Sequence, residues 1–273
     1  MKNILLYLLV FFSAFGCYAQ SYESCINAID KYVEKQNWEM AECMILSALK
    51  LKPADPSNFI LLSNLGTVHR NMGKKEEALK DYNNALAITP NAVTLLHNRA
   101  SLYLEMDSVV KAFDDYERIM RLDKSDKDAL YYHGMLAMQF GELAEAEGDF
   151  NQILTLDKEN LDAKRAFALL YKIKNDYPKA IELYTEVISK ENRQSNYLSR
   201  AECYLSTNQY QEATQDLIEA QKLDPTNADL YILKASLAEA QYRYDEAETY
   251  AKEAIEFGAD AESLKSFFRK KPK

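Results

Sequence analysis

Residues 59–92 read FILLSNLGTVHRNMGKKEEALKDYNNALAITPNA, a 34-residue stretch with a small residue at Gly66, an alanine at Ala78 and a proline at Pro90. The alanine recurs along the chain in steps of 37, 34, 34, 34, 33 and 34 residues. Its seven occurrences are Ala41, Ala78, Ala112, Ala146, Ala180, Ala213 and Ala247. A near-constant period of about 34 is typical of stacked helical repeats, in which no unit buries its apolar face alone. With each alanine placed at position 20, the predicted units begin near Tyr22, Phe59, Val93, Lys127, Leu161, Gln194 and Ala228.

Other columns of the repeat describe each unit as two antiparallel helices. Position 8 is small in six of the seven units, which lets two helices approach closely at positions 8 and 20. Position 15 is Gly, Asn or Asp in five units, and these residues tolerate the left-handed conformation that ends a helix. Positions 11, 24 and 30 are mostly large and apolar, so we expect them in the core. Prolines at position 32 end the second helix.

This pattern of small, aromatic and proline positions resembles the tetratricopeptide repeat family over roughly residues 22–259. The best single match is Leu65-Gly66 followed by Ala78, Tyr82, Ala85 and Pro90. The resemblance implies an all-α fold, a right-handed superhelical solenoid of about seven helix-turn-helix repeats. We expect the array over residues 20–260. We also expect a capping helix with a basic tail over residues 261–273, because a terminal repeat otherwise leaves its apolar face exposed.

The first nineteen residues are typical of a secretory signal, with Lys2 ahead of a short apolar run and small residues before Gln20. We therefore expect export, with cleavage between Ala19 and Gln20, to a periplasmic or extracellular location. The alternative is a lipoprotein anchored at Cys17, and only in that case do we expect contact with a membrane. An oxidising compartment leaves open whether Cys25 and Cys43 form a disulfide or stay as thiols.

Charge and motifs argue against several functions. The chain has 33 Lys and Arg against 42 Asp and Glu, a net charge of −9, whereas nucleic-acid binding needs a basic stripe. It contains no phosphate loop, dinucleotide fingerprint, Cys-x-x-Cys pair or His-Glu-x-x-His motif. His69, His97 and His133 fall at three different unit positions, which does not favour a metal site. We predict no catalysis, cofactor or metal, and we interpret His69 as a core residue.

The resemblance also implies that the first helix of each unit lines a concave surface, with ligand contacts at positions 2, 5, 9, 12 and 13. In the middle units these positions become apolar, with polar neighbours, which is the profile of a groove for a peptide or helix. The candidate groove residues are His97, Tyr131, Tyr132, Met135, Met138, Arg165, Leu169, Lys172, Ile173, Leu198 and Leu205. Some of them are equally compatible with packing inside the stack.

We therefore expect a non-catalytic exported scaffold that binds an extended peptide or a partner helix of unknown identity. The alternative is a carbohydrate-binding accessory protein of an envelope uptake or assembly system, because Tyr131 and Tyr132 offer an aromatic platform. Homo-oligomerisation through one end of the array is a third hypothesis.

Overall fold

The computed structural model describes residues 21–268, which contain fourteen α-helices and no β-strand. They form two compact units, residues 21–133 and 134–268, called here the N-terminal and C-terminal units. The helices that begin in the N-terminal unit are α1 (Tyr22–Glu34), α2 (Trp38–Leu51), α3 (Asn58–Asn71), α4 (Lys75–Ile88), α5 (Val93–Glu105), α6 (Val109–Leu122) and α7 (Lys127–Phe140). Those that begin in the C-terminal unit are α8 (Leu143–Leu156), α9 (Leu161–Ile173), α10 (Tyr177–Lys190), α11 (Gln194–Ser206), α12 (Tyr210–Leu223), α13 (Ala228–Ala240) and α14 (Tyr244–Glu256).

The odd-numbered helices are the first helices of the seven repeats, and the even-numbered helices are the second. Six of the first helices begin at the residue expected to start a unit, and α3 begins one residue earlier, at Asn58. The expected signal segment and Cys17 lie outside the described residues.

Each repeat turns at position 15 through a residue with positive φ. These residues are Gln36 (53°), Gly73 (75°), Asp107 (54°), Gly141 (82°), Asn175 (59°), Asn208 (59°) and Tyr242 (62°). The N–H of the next residue donates to the carbonyl five residues earlier, as from Lys74 to His69 at 2.9 Å. This bond closes the first helix in the manner of a Schellman cap. The turn therefore forms even at Gln36 and Tyr242, which the composition of the column does not favour.

In the second and fourth repeats, close packing joins the residue at position 8 to the ring at position 24. The seven landmark alanines are all buried, at 0 to 2% exposure. A Cβ added to Gly66 would lie 2.6 Å from Cε1 of Tyr82, and one added to Gly134 would lie 2.7 Å from Cε1 of Phe150. Real Cβ contacts are longer than this, so these repeats have room only for glycine at position 8.

Position 30 differs from the expectation that it belongs to the core. Its apolar residues are 39 to 51% exposed, because they lie in the last turn of the second helix, or next to it, where the hairpin contact ends. They are Leu51, Ile88, Leu122, Leu156, Leu223 and Phe257.

The C-terminal segment also differs from the expected capping helix. After α14 the chain turns at Gly258 (φ 102°) and forms only a 3-10 helix, Lys265–Phe267. Leu264 is nevertheless buried, and it belongs with Leu230 and Tyr231 to a cluster against which Phe268 packs. The described part of the segment thus covers apolar residues of the last repeats without an α-helix. Residues 269–273 lie outside the described residues.

Cys25 and Cys203 are buried and form no disulfide, so Cys25 is not the disulfide partner of Cys43. Burial raises the pKa of Cys25 and raises the pKa of Cys203 to about 11.

Candidate partner-binding surface

In the N-terminal unit, the predicted groove residues form an aromatic cluster. Tyr132 is 42% exposed, and its ring stacks on that of Tyr116 with centroids 5.2 Å apart. Tyr131 meets Tyr132 edge to face at 5.5 Å. His97 approaches Tyr116 at 6.0 Å, and its Nε2 lies 2.8 Å from Asp126 Oδ2. The cluster offers one exposed ring, held in place by buried or half-buried neighbours.

In the C-terminal unit, the predicted apolar patch is smaller than expected. Met138 and Leu198 are both buried at 9% exposure, so they add little exposed apolar surface. Ile173 is 46% exposed. The remaining apolar members, Met135, Leu169 and Leu205, are half-buried.

The predicted cationic neighbours of the patch are already engaged. Arg165 forms ion pairs with Glu191 and Asp162, and Lys172 Nζ lies 2.7 Å from Glu202 Oε2. These pairs hold the two cations beside carboxylates of the same unit. The surface that they border therefore presents less positive charge than the sequence suggests.

A cleft of about 370 Å³ lies between α11 and α13, and we call it the α11–α13 cleft. The two helices contribute equivalent faces, because positions 2, 5 and 6 of the sixth and seventh repeats line it together. Its lining residues are Ser195, Leu198, Ser199, Glu202, Asp229, Ile232 and Leu233. The volume lies in the range of small binding sites, about 300–1,000 Å³. The sequence prediction includes only Leu198 of this set, since a cleft depends on how two repeats meet.

Several polar residues of the first helices bond inward. Thr67, at position 9, has its hydroxyl 3.1 Å from that of Tyr82, at position 24. Burial raises the pKa of both Tyr116 and Tyr184 to about 12, so these phenols stay neutral near pH 7. All three position-24 tyrosines, Tyr82, Tyr116 and Tyr184, are thus core residues with one polar tip.

Two arginines at position 7 connect neighbouring repeats, and neither is among the residues predicted from the sequence. Arg200 donates two hydrogen bonds to Asp216, at 2.8 and 2.7 Å, and a third to Thr185 of the preceding repeat at 2.8 Å. Arg99 and Asp115 form the same pair of hydrogen bonds in the third repeat. The sequence contains one weak indication of these contacts, because the arginine precedes its aspartate by 16 residues in both pairs.

His69 is a buried residue that joins the first two repeats, in agreement with its interpretation as core. Its Nδ1 lies 2.6 Å from Asp81 Oδ2, and its Nε2 lies 3.0 Å from Glu42 Oε1. Burial alone would raise the pKa of Glu42, but hydrogen bonds with His69 and Lys74 outweigh burial and lower that pKa.

Within residues 21–268, no group of three or more His, Cys, Asp or Glu side chains is placed to hold a metal ion. No helix in that range has the length and apolar run needed to cross a bilayer.

Family models match two parts of the chain. The model for the tetratricopeptide repeat matches residues 60–92, and the model for anaphase-promoting complex, cyclosome, subunit 3 matches residues 173–254. Among curated proteins, the mitochondrial import receptor subunit TOM34 of Homo sapiens is 47% identical over 55 residues. That match covers 20% of this chain and only 18% of the relative.

Solved structures match much more of the chain. A tetratricopeptide repeat protein from Parabacteroides merdae is 32% identical, with a TM-score of 0.73, over 91% of this chain and 98% of that chain. YrrB, a tetratricopeptide repeat protein described as having an unusual peptide-binding site, is 16% identical with a TM-score of 0.57. That match covers 68% of this chain and 95% of YrrB, and at this identity it supports the fold alone. The neighbours support an all-α repeat fold and, in general, a protein-interaction scaffold of a family that is mostly non-catalytic.

Proposed function

The chain belongs to the tetratricopeptide repeat family, and from that premise we propose that it is a non-catalytic scaffold that binds an extended peptide or a partner helix. The binding surface is formed by the first helices of the repeats. The observation that carries the proposal is the α11–α13 cleft, where two first helices leave an apolar floor open between them. Each unit also exposes an apolar side chain on a first helix, Tyr132 in the N-terminal unit and Ile173 in the C-terminal unit.

A pull-down with matched variants tests this proposal. The groove variant carries Tyr132→Ala and Ile173→Ala, and the control carries Tyr244→Ala and Ile218→Ala on second helices. The matched side chains have similar exposure: 42% for both tyrosines, and 46% against 42% for the isoleucines. We expect quantitative mass spectrometry to show lower partner recovery for the groove variant only. Equal recovery for wild type, groove variant and control, with intact helicity, would refute binding by the first helices.

We also propose that the protein is exported after cleavage between Ala19 and Gln20, a site outside the described residues. The support is the sequence pattern of residues 1–19. Mass spectrometry of the mature N-terminus tests it. A chain that starts at Gln20 supports soluble export, whereas a lipid-modified Cys17 would establish the anchored form instead.

Carbohydrate binding is the second candidate function, and exposed aromatic rings favour it. Tyr242 is 79% exposed, and its ring meets that of Tyr244 edge to face at 6.4 Å. Glycan-array binding that disappears in a Tyr242→Ala, Tyr244→Ala variant would support this function. The absence of glycan binding by the wild-type chain would remove it.

A further inference from the structure

The α11–α13 cleft has an apolar floor and a polar rim. Leu198 is 9% exposed, and Ile232 and Leu233 are half-buried, so the floor is apolar but open to solvent. Ser195 and Ser199 lie one turn apart on the face of α11 that lines the cleft. Such a surface suits an aliphatic side chain, since its burial removes apolar area from water on both partners.

The rim of the cleft is acidic. Glu202 and Asp229 are the charged residues that line it, and the lining includes no lysine, arginine or histidine. Glu202 is bound to Lys172, whereas the exposed carboxylate of Asp229 forms no ion pair within residues 21–268. The chain as a whole is also acidic, with a net charge of −9. The rim and the net charge both favour the approach of a cationic ligand.

We propose that the cleft is the anchor pocket of the scaffold and that its occupant is a basic peptide segment. An aliphatic side chain of the segment lies on Leu198, Ile232 and Leu233. A neighbouring lysine or arginine of the segment pairs with Asp229. This inference rests on the proposed function, because it names the chemistry of the partner for the same groove.

A peptide library gives the first test. The probe is a positional-scanning library of fluorescein-labelled dodecapeptides, read by fluorescence anisotropy with the purified chain. We expect tightest binding for peptides that place Leu, Ile, Met or Phe beside Lys or Arg. We expect that binding to weaken as salt rises from about 0.05 M to about 0.5 M, since ions screen exposed charge pairs. A preference for acidic or uncharged peptides would overturn the proposal.

Two variants and two matched controls locate the binding site. Asp229→Asn should weaken binding by up to about fivefold, the upper end for an exposed ion pair, and should reduce the salt dependence. The control Glu212→Gln removes one exposed carboxylate from α12 and should leave binding unchanged. Ile232→Ala should weaken binding about tenfold through lost apolar burial, whereas Ile218→Ala on α12 should not. Circular dichroism melts establish that all four variants are folded.

The outcomes separate this inference from the proposed function. If the library peptides bind Asp229→Asn and Ile232→Ala as tightly as wild type, the cleft is not their site and the inference fails. The scaffold function still stands in that case if the groove variant recovers less partner than wild type in the pull-down. If light scattering shows a dimer that Ile232→Ala dissociates, the occupant is a second copy of the chain and the peptide assignment is overturned.

Discussion

Gly134→Ala tests the close packing between the two helices of one repeat. Gly134 lies at position 8 in α7, opposite the ring of Phe150 at position 24. An added Cβ would lie 2.7 Å from Cε1 and 3.0 Å from Cζ of that ring, and 3.3 Å from Cβ of Asp149. Phe150 is fully buried, and its ring centroid lies 6.2 Å from that of Phe167. The ring therefore has little space to move away from a new methyl group.

Two opposing effects set the size of the change. Replacing a helical glycine by alanine stabilises a helix by about 0.5–1 kcal/mol. Forcing an extra methyl group into a packed core costs about 1–3 kcal/mol. We expect Gly134→Ala to lower the free energy of unfolding by about 1–2 kcal/mol, which corresponds to a Tm about 2–8 °C lower.

Gly148→Ala is the matched control for helix propensity. Gly148 lies inside α8, and an added Cβ there has no neighbouring atom within 4 Å. This variant therefore keeps the propensity gain without the clash, and its Tm should rise by about 1–4 °C.

Thermal melts followed by far-UV circular dichroism measure both variants. A second substitution, Phe150→Leu, should cost less in the Gly134→Ala background than in the wild-type background, because the smaller side chain leaves room for the methyl group. If Gly134→Ala melts at or above the wild-type temperature, the tight contact between positions 8 and 24 is refuted.

Three further predictions concern buried polar groups. Arg200→Met leaves Asp216 without its partner at 3% exposure, so urea denaturation should show a loss of about 3–5 kcal/mol, largely recovered by adding Asp216→Leu. An unchanged midpoint would contradict a stabilising role for this ion pair between α11 and α12. The lowered pKa of Glu42 stabilises the fold above the unfolded-state pKa of about 4.3, and this stabilisation is lost as pH falls through the folded-state pKa. The Tm difference between wild type and Glu42→Gln should accordingly shrink on acidification. A difference that stays constant with pH would contradict stabilisation by ionised Glu42. Burial raises the pKa of Cys203 to about 11, so this thiol should resist alkylation in the native chain and react in denaturant. Mass spectrometry of the labelled peptide measures both rates. Rapid labelling of the native chain would be inconsistent with the buried position of Cys203.

The repeat and its turns are predictable from sequence because every unit makes the same local demands. The 34-residue period places the hairpins, and position 15 takes the left-handed conformation in every repeat. Gln36 and Tyr242 show that the hairpin geometry overrides residue preference at this position. An alignment of seven internal copies is enough to predict such features.

Exposure and specific contacts are harder to predict, since they depend on neighbouring repeats. Met138 shares its helix position with the exposed Val33, and Leu198 shares its own with half-buried residues of other repeats, yet both are buried. An ion pair like that between Arg99 and Asp115 recurs in only one other repeat, between Arg200 and Asp216. An alignment of the seven repeats therefore does not show it as a common feature. The α11–α13 cleft exists only because two equivalent faces leave a gap.

Hydrogen–deuterium exchange with the tightest library peptide tests the central claim most directly. The full chain, with and without peptide, is digested and its exchange compared across all described helices. We expect slower exchange on binding over residues 195–202 of α11 and 229–233 of α13, with little change in α12 and α14. Protection confined to α12 and α14 would contradict it, because those second helices do not line the cleft.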